Sequence, residues 1–145
     1  MRLVIQKVNS ASVLINDSQY CSIGQGLLVL VGFCDSDTDQ DFEWAIKKLI
    51  NLKLFTSKLS LKDMNGELLI VSQFTLFASL KKGNRPSWSR AAKPELATKM
   101  YQHFIKMCEL QLGSKIKTGL FGADMQVQLI NNGPTTLIID TNNKE

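Results

Sequence analysis

The 145-residue chain is poor in the side chains that usually carry hydrolytic or metal chemistry: it has one histidine, three cysteines and three prolines. A single histidine, His103, with no acids clustered beside it in the sequence, argues against a His-based metal site. It also argues against a catalytic triad, because His103 falls at the edge of a helical Met100/Phe104 stripe, where packing or partial exposure is the ordinary role. Cys21, Cys34 and Cys108 are scattered, which excludes a complete disulfide framework and any CxxC metal motif and leaves buried free thiols. No apolar run approaches the roughly 20 residues of a membrane span. The N-terminal stretch from Met1 to Asn9 has no signal-peptide core, so a cytoplasmic protein is expected. Gly24-Gln25-Gly26 lacks the Lys-Ser/Thr tail of a phosphate-binding P-loop. Neither repeat, low-complexity tract nor linker interrupts the chain, and one domain over 1–145 is expected, with no cofactor and no metal.

What is present is an ordinary globular composition, 44% apolar and 21% charged, long enough for a core. The net charge of +4 is unevenly spread. Lys81, Lys82, Arg85, Arg90 and Lys93 lie within residues 79–93 with no acid among them, and Trp88 sits inside the run. Such a loop suits a phosphate backbone or is simply a solvated face.

Hydrophobic periodicity predicts strands over 2–8, 11–15 and 27–33. A capping box of Asp37 and Gln40 opens a helix whose stripe is Phe42, Ala45, Ile46, Leu49 and Ile50. Lys53 to Phe55 reads as a short strand, Lys62 to Gly66 as a turn, and residues 67–78 as the strongest strand. Pro94 starts a second helix with Leu96, Met100, Phe104, Met107 and Cys108 inward, and Gly113 ends it. Residues 114–124 are a loop. Two final strands flank a hairpin-like tip, Asn131 to Thr136. The sum is an α+β fold of largely antiparallel, barrel-like sheet layers with two main helices on one side.

Three segments could carry chemistry. Gly133-Pro134 combines a residue without Cβ and one without N–H, so it is a rigid turn that exposes carbonyls, either as structure or as a tool. Ser72-Gln73-Phe74-Thr75 puts polar groups inside an apolar strand, Gln73 and Thr75 on one face and Ser72 and Phe74 on the other. That end could line an acyl pocket or serve cross-strand hydroxyl pairing. Thr75 has no evident base to activate it as a nucleophile. Thr118 to Met125 holds two glycines around Phe121, which suits a stacking platform for a nucleobase or a core anchor.

Together these segments resemble one family, the D-aminoacyl-tRNA deacylases. Ser72-Gln73-Phe74-Thr75-Leu76 matches its SQFTL motif, and Asn131-x-Gly133-Pro134-x-Thr136 its NxGPxT motif. Met1-Arg2-x-Val4-Ile5-Gln6, the run Gly26 to Gly32, Lys82-Gly83-x-Arg85-Pro86-Ser87 and Thr118-Gly119-x-Phe121-Gly122-Ala123-Asp124-Met125 follow in the family's order over essentially the whole chain. The chain departs from the pattern at Lys7, where Arg is usual, at Trp88, where Phe is common, in a shortened stretch between Phe55 and Glu67, and in a few extra C-terminal residues.

The resemblance implies a cytosolic homodimer that hydrolyses the ester of D-aminoacyl-tRNA, and mischarged glycyl-tRNA as well. The tip, a Gly-cisPro in the family, inserts across the dimer and excludes L-amino acids through main-chain carbonyls. Hydrolysis is assisted by the tRNA 2′-OH, with backbone N–H groups at Phe74 stabilising the oxyanion. An older family scheme makes Thr75 the nucleophile. The resemblance places Ser72, Gln73, Phe74, Phe121, Met125, Gly133 and Pro134 on the substrate and Lys81, Lys82 and Arg85 on the tRNA. The alternatives are a non-catalytic tRNA-binding module and an interaction protein with a merely structural Gly-Pro turn.

Overall fold

The computed structural model describes residues 1–144. Two long strands organise it. β1 (Arg2–Ile15) pairs antiparallel with β6 (Gln126–Asp140) along one edge. Its other edge is shared between β2 (Ser18–Ile23), which takes Ala11 to Ile15, and β3 (Gly26–Gly32), which takes Arg2 to Val8. β4 (Glu67–Ser72) and the two-residue β5 (Lys117–Thr118) continue the sheet beyond β3, each parallel to its neighbour. Parallel neighbours need crossovers. α1 (Asp39–Asn51) makes the first and α2 (Pro94–Leu112) the second. The result is an α+β fold in which the sheet curls, bringing β2 near β4 and β5, while both helices cover one face.

Period-2 alternation explains the two cores. Leu27, Val29 and Val31 of β3 and Leu68 and Ile70 of β4 face the helices. Leu28, Leu69 and Val71 face the inside of the curl. Both faces are buried, which is why these strands read as unbroken apolar runs. Each fully buried Leu or Ile there contributes on the order of 2 kcal/mol. β1 serves both cores through a bulge. Val8 pairs with Asn131 and Ser10 with Ile130, so Asn9 is an extra residue. That one residue keeps Ala11 and Val13 on the face of Val8 instead of returning them to the face of Leu3 and Ile5.

Several expected elements take another form. The segment Asn131 to Thr136 is not a hairpin tip. β6 is continuous, and both of its halves pair with the same strand. Gln6 opposes Thr136 and Val8 opposes Asn131, so Lys7 alone faces a four-residue bulge, Asn132 to Thr135. Likewise β1 is one strand, not two, and β2, which was not expected, follows it through a two-residue turn with Asn16 and Asp17 at positive φ.

The strand expected over 67–78 stops at Ser72 and becomes a 3₁₀ turn, Phe74–Phe77. Its apolar run hid a change of direction that depends on contacts with β3. Lys53 to Phe55 forms only a single bridge, Phe55 to Leu59, because Ser57 and Lys58 turn the chain at once at positive φ.

The α1 cap is Thr38 with Asp41, not Asp37 with Gln40. The Asp37 carboxylate is occupied by the Cys34 N–H (2.8 Å) and the Met1 ammonium. The stripe Phe42, Ala45, Ile46, Leu49 and Ile50 is buried as expected. In α2 the buried face is Ala97, Tyr101, Phe104 and Cys108, so Leu96 is left exposed. The stripe rotates because Tyr101 can bury its ring while its hydroxyl donates to the Ile70 carbonyl (2.8 Å). Gly113 closes the helix at φ +76.

Two glycine substitutions separate steric from conformational cost. A Cβ on Gly26 would stand 1.9 Å from the Glu67 carbonyl oxygen, and backbone cannot yield cheaply. Gly26→Ala is expected to cost roughly 3 kcal/mol or more. At Gly113 a Cβ meets nothing within 4 Å, and only the left-handed backbone resists. Gly113→Ala should cost about 1 kcal/mol. Urea unfolding midpoints of the two variants check the order.

Candidate active site

The strands β3 and β4 are parallel, so their C-terminal ends lie together, and a cavity of about 510 Å³ opens beyond them. Ligand crevices favour this position in parallel sheets because the chain diverges there into separate loops. Ser72, Gln73 and Phe74 form one wall and Phe121 another. Trp88 and the start of α2 close it from the side.

The Gln73 segment is fixed by backbone. Its N–H donates to the Val31 carbonyl (2.7 Å), extending the β3–β4 ladder by one bond. The chain then turns, with Leu76 N–H donating to the Gln73 carbonyl (3.3 Å) and Ala78 N–H to that of Thr75 (3.0 Å). As first-turn groups, the N–H donors of Phe74 and Thr75 have no acceptor within this turn. The approach requires Gly32: a Cβ there would lie 2.7 Å from the Gln73 carbonyl oxygen.

Arg2 locks the turn from the other side. Its Nη1 donates to the Leu76 carbonyl (2.9 Å), its Nε to Asp140 (2.8 Å), and its guanidinium sits 5.0 Å from the Phe77 ring centroid. In the sequence Arg2 stands out only as part of the N-terminal motif. Its partners are more than 70 residues away and become legible only in the fold.

The cavity is unusually apolar for a site with a polar motif. Phe74 is 55% exposed although it is a large apolar side chain, and it meets Trp88 edge-on at 5.4 Å and 76°. Phe121 lies tilted against Tyr101 at 5.7 Å, anchored in the core while its other side lines the cavity. Burial raises the Tyr101 hydroxyl well above its ordinary pKa, so it stays a neutral donor. Burial likewise raises the thiols of Cys21 and Cys108, which disfavours their thiolates.

The site residues expected from sequence divide by location. Ser72, Gln73, Phe74 and Phe121 line the cavity together. Thr75 follows in the turn, but its side chain does not line it. Met125 packs in the second core, with its sulfur against Gly119. Lys81, Lys82 and Arg85 are exposed and border a separate basic hollow beside the cavity. The loop that carries them is pinned by reciprocal bonds between Ser79 and Ser87 (2.8 and 3.0 Å). His103 lies outside the cavity, against Asp39 (3.1 Å) and the Phe42 ring. Among the described residues no group of three His, Cys, Asp or Glu side chains could hold a metal ion.

Gly133 and Pro134 are exposed and do not line the cavity of their own chain. The bond between them is trans, since the described residues contain no cis peptide; the cis geometry implied by the resemblance is not present. The segment is a bulge in a continuous ladder, and Gly133 at φ +116 takes up its change of direction. Neighbouring side chains hold the bulge in place. Asn132 donates to Asn9 (2.7 Å) and Thr136 to Gln6 (3.1 Å). Asn131, with its amide nitrogen inward, donates to the carbonyls of Lys7 (2.9 Å) and Thr135 (3.3 Å). Lys7 places its Nζ 3.3 Å from where a Gly133 Cβ would be and donates to the Leu54 carbonyl (3.2 Å).

The architecture is a curled α+β sheet with an apolar crevice at the ends of its parallel strands and a Gly-Pro bulge on its long edge strand. Residues 4–140 match the D-Tyr-tRNA(Tyr) deacylase family. Proteins named D-aminoacyl-tRNA deacylase are similar over their full length and that of this chain: 53% identical in Flavobacterium psychrophilum and 55% in Cytophaga hutchinsonii. Among solved structures, a c-Myc DNA Unwinding Element Binding Protein superposes with a TM-score of 0.90 at 37% identity, covering 97% of this chain and 98% of its own. A probable eukaryotic D-amino acid tRNA deacylase, at 20% identity and TM-score 0.84 over 95% and 97% of the two chains, shares the fold. The chain belongs to the D-Tyr-tRNA(Tyr) deacylase family.

If the Gly32 approach and the Arg2 lock set the position of the turn, loosening either one should act on catalysis. Gly32→Ala should lower kcat/KM roughly tenfold or more. Arg2→Met, which keeps the aliphatic stem, should lower stability by about 1 kcal/mol and kcat with it. Steady-state kinetics beside thermal unfolding of each variant check both.

Proposed function

We propose that this protein hydrolyses the ester between a D-amino acid and the 3′-terminal adenosine of tRNA, and that of mischarged glycyl-tRNA, in the cytosol. The observation that carries this is the full-length family match on a cavity built by Ser72, Gln73 and Phe74. The terminal adenosine occupies the apolar cavity against Phe121, with Met125 supporting that side from the second core. The ester carbonyl lies at the first-turn N–H groups near Phe74, which are preorganised donors for the developing oxyanion. The neighbouring 2′-OH of the ribose assists the attacking water. This route needs no side-chain nucleophile. That agrees with a Thr75 side chain outside the cavity and with the single histidine engaged elsewhere.

The chirality filter is Gly133-Pro134 from a second copy of the chain. Two features support a shared site. The pair is exposed and does not line its own cavity, and β6 is an edge strand 15 residues long with Ile130 and Ile138 exposed at 59% and 74%. Such an edge is a ready template for pairing. Seated over a partner's Ser72 to Phe74 wall, the main chain of the bulge leaves room for hydrogen on one side of the substrate Cα and excludes a side chain there. D-amino acids and glycine pass; L-amino acids clash. Lys7, packed on Gly133, holds the bulge as a point charge where the family has the fork of an Arg.

A second reading, a nucleic-acid-binding module without turnover, is favoured by one observation: the likeness to a protein named for binding a DNA unwinding element, together with the acid-free basic loop. Pure protein given D-tyrosyl-tRNA and L-tyrosyl-tRNA separates the two. Release of amino acid from the D ester alone is expected. Survival of both esters with salt-dependent tRNA binding supports the module, and equal cleavage of both removes the filter. Gly133→Ala, strained at φ +116 and 2.7 Å from Thr135 Oγ1, should erode the D/L ratio. Thr75→Ala should keep kcat within about twofold, because truncating a hydroxyl that touches no reacting atom removes no transition-state interaction. A loss of several orders of magnitude would restore Thr75 as nucleophile.

A further inference from the structure

Two cations beside the cavity, Arg90 and Lys93, have no role in the proposed function. Among the described residues Lys93 is the one charged residue lining the apolar cavity, and Arg90 borders the neighbouring basic hollow of about 260 Å³ together with Lys81, Lys82 and Arg85. The two spaces share a wall, Ser89. We propose that they form one track for the single-stranded 3′ end of the substrate. Lys93 takes the last phosphodiester, Arg90 takes the one before it, and the terminal nucleoside sits in the apolar cavity.

The backbone makes the track rigid. Ala92 N–H donates to the Phe33 carbonyl at the end of β3 (2.9 Å), and the Lys93 carbonyl accepts from Ala97 N–H (2.8 Å) as α2 begins. Lys93 is therefore held between a strand end and a helix start at the rim of the cavity. Arg90 is set by the turn in which Ala91 N–H donates to the Trp88 carbonyl (3.0 Å). Three residues of backbone span at most about 11 Å, so the two cations address neighbouring groups of a ligand, not distant ones.

The track is also unneutralised. Residues 79–93 contain no acid, and neither Arg90 nor Lys93 pairs with a carboxylate among the described residues. The nearest carboxylate in sequence, Glu95, is paired with Lys99 at 3.5 Å. An apolar recess opening onto adjacent fixed cations matches a ligand with a flat apolar end followed by anions at regular spacing, which describes the end of a single strand. Grip on the last two phosphates also means that a short oligonucleotide ester carries part of the binding.

This inference rests on the deacylase reading, and the experiment keeps the two apart. Wild type, Lys93→Ala and Lys93→Arg are given D-tyrosyl esters of adenosine, of the dinucleotide CpA and of full tRNA. For the wild type, KM should fall about tenfold from the adenosine to the CpA ester, the size of one charge-assisted contact. Lys93→Ala should lose that gain with kcat held, Lys93→Arg should keep it, and the adenosine ester should give all three the same KM. The dependence of log kcat/KM on log salt should weaken by roughly 0.7 in Lys93→Ala on CpA, as for one single-strand phosphate. An unchanged KM on CpA, or an equal rise on the phosphate-free adenosine ester, overturns the proposal. If the wild type hydrolyses no D ester, the deacylase reading fails by itself. The track is then judged on binding of unacylated CpCpA followed by tryptophan fluorescence: weaker, less salt-dependent binding by Lys93→Ala supports it, and equal binding overturns it. The Lys93 side chain makes no capping bond to α2, so its removal leaves the fold's hydrogen bonds intact.

Discussion

One strand carries three ladders at once. β1 pairs with β6 on one edge and with β3 and then β2 on the other, so every strand but β4 and β5 is tied to it directly. A strand in that position cannot slip, because a one-residue shift would turn both of its buried faces outward together. The Asn9 bulge lets Leu3 and Ile5 serve the helix-side core while Val8, Ala11 and Val13 serve the curl. The same fixed register places Lys7 opposite Asn132 to Thr135. The Gly-Pro excursion is thus held at a set height on the edge of the molecule, supported by Gln6 and Asn9, rather than hanging from a flexible turn.

The candidate site follows from the other end of the same architecture. β3 and β4 are parallel because α1 crosses between them, and their C-terminal ends meet where Gly32 admits the Gln73 carbonyl. Arg2, the first residue of β1, reaches over to hold the turn beyond. In the proposed reaction, fixed N–H donors near an apolar recess would act as an electrostatic device, effective where water is displaced and the dipoles need not reorganise. It offers a physical reason why a hydrolase could manage with so little acid–base equipment. What such a device lacks is discrimination, and a rigid main-chain bulge from a second copy would supply it by shape.

The parts legible in the sequence were those governed by local rules. The α1 stripe, the Pro94 start and the Gly113 end follow from helical period and backbone freedom, and they needed no tertiary information. The motif residues Ser72, Gln73, Phe74 and Phe121, singled out by their motifs, line one cavity. The misses share a cause. Ser72 to Phe77 alternates well enough for a strand, but only Gly32 and Arg2, both distant in sequence, make it turn after one further ladder bond. Apolar segments on either side of Gly-Pro look like two arms of a hairpin until one strand, β1, is found opposite both. Leu96 fits the α2 stripe by spacing, yet the Ile70 carbonyl selects Tyr101 and rotates the face.

By itself the sequence determined composition, helix ends, the acid-free basic loop and the motifs that mark the family, since each depends on residues within a few positions of one another. Tertiary structure decided that Gly133-Pro134 is a bulge with a trans bond, that it lies away from its own chain's cavity, and that Lys93 stands at the rim of that cavity. Those outcomes depend on which strand lies opposite which, and pairing register is a balance of contacts across the whole sheet that no short stretch of chain contains.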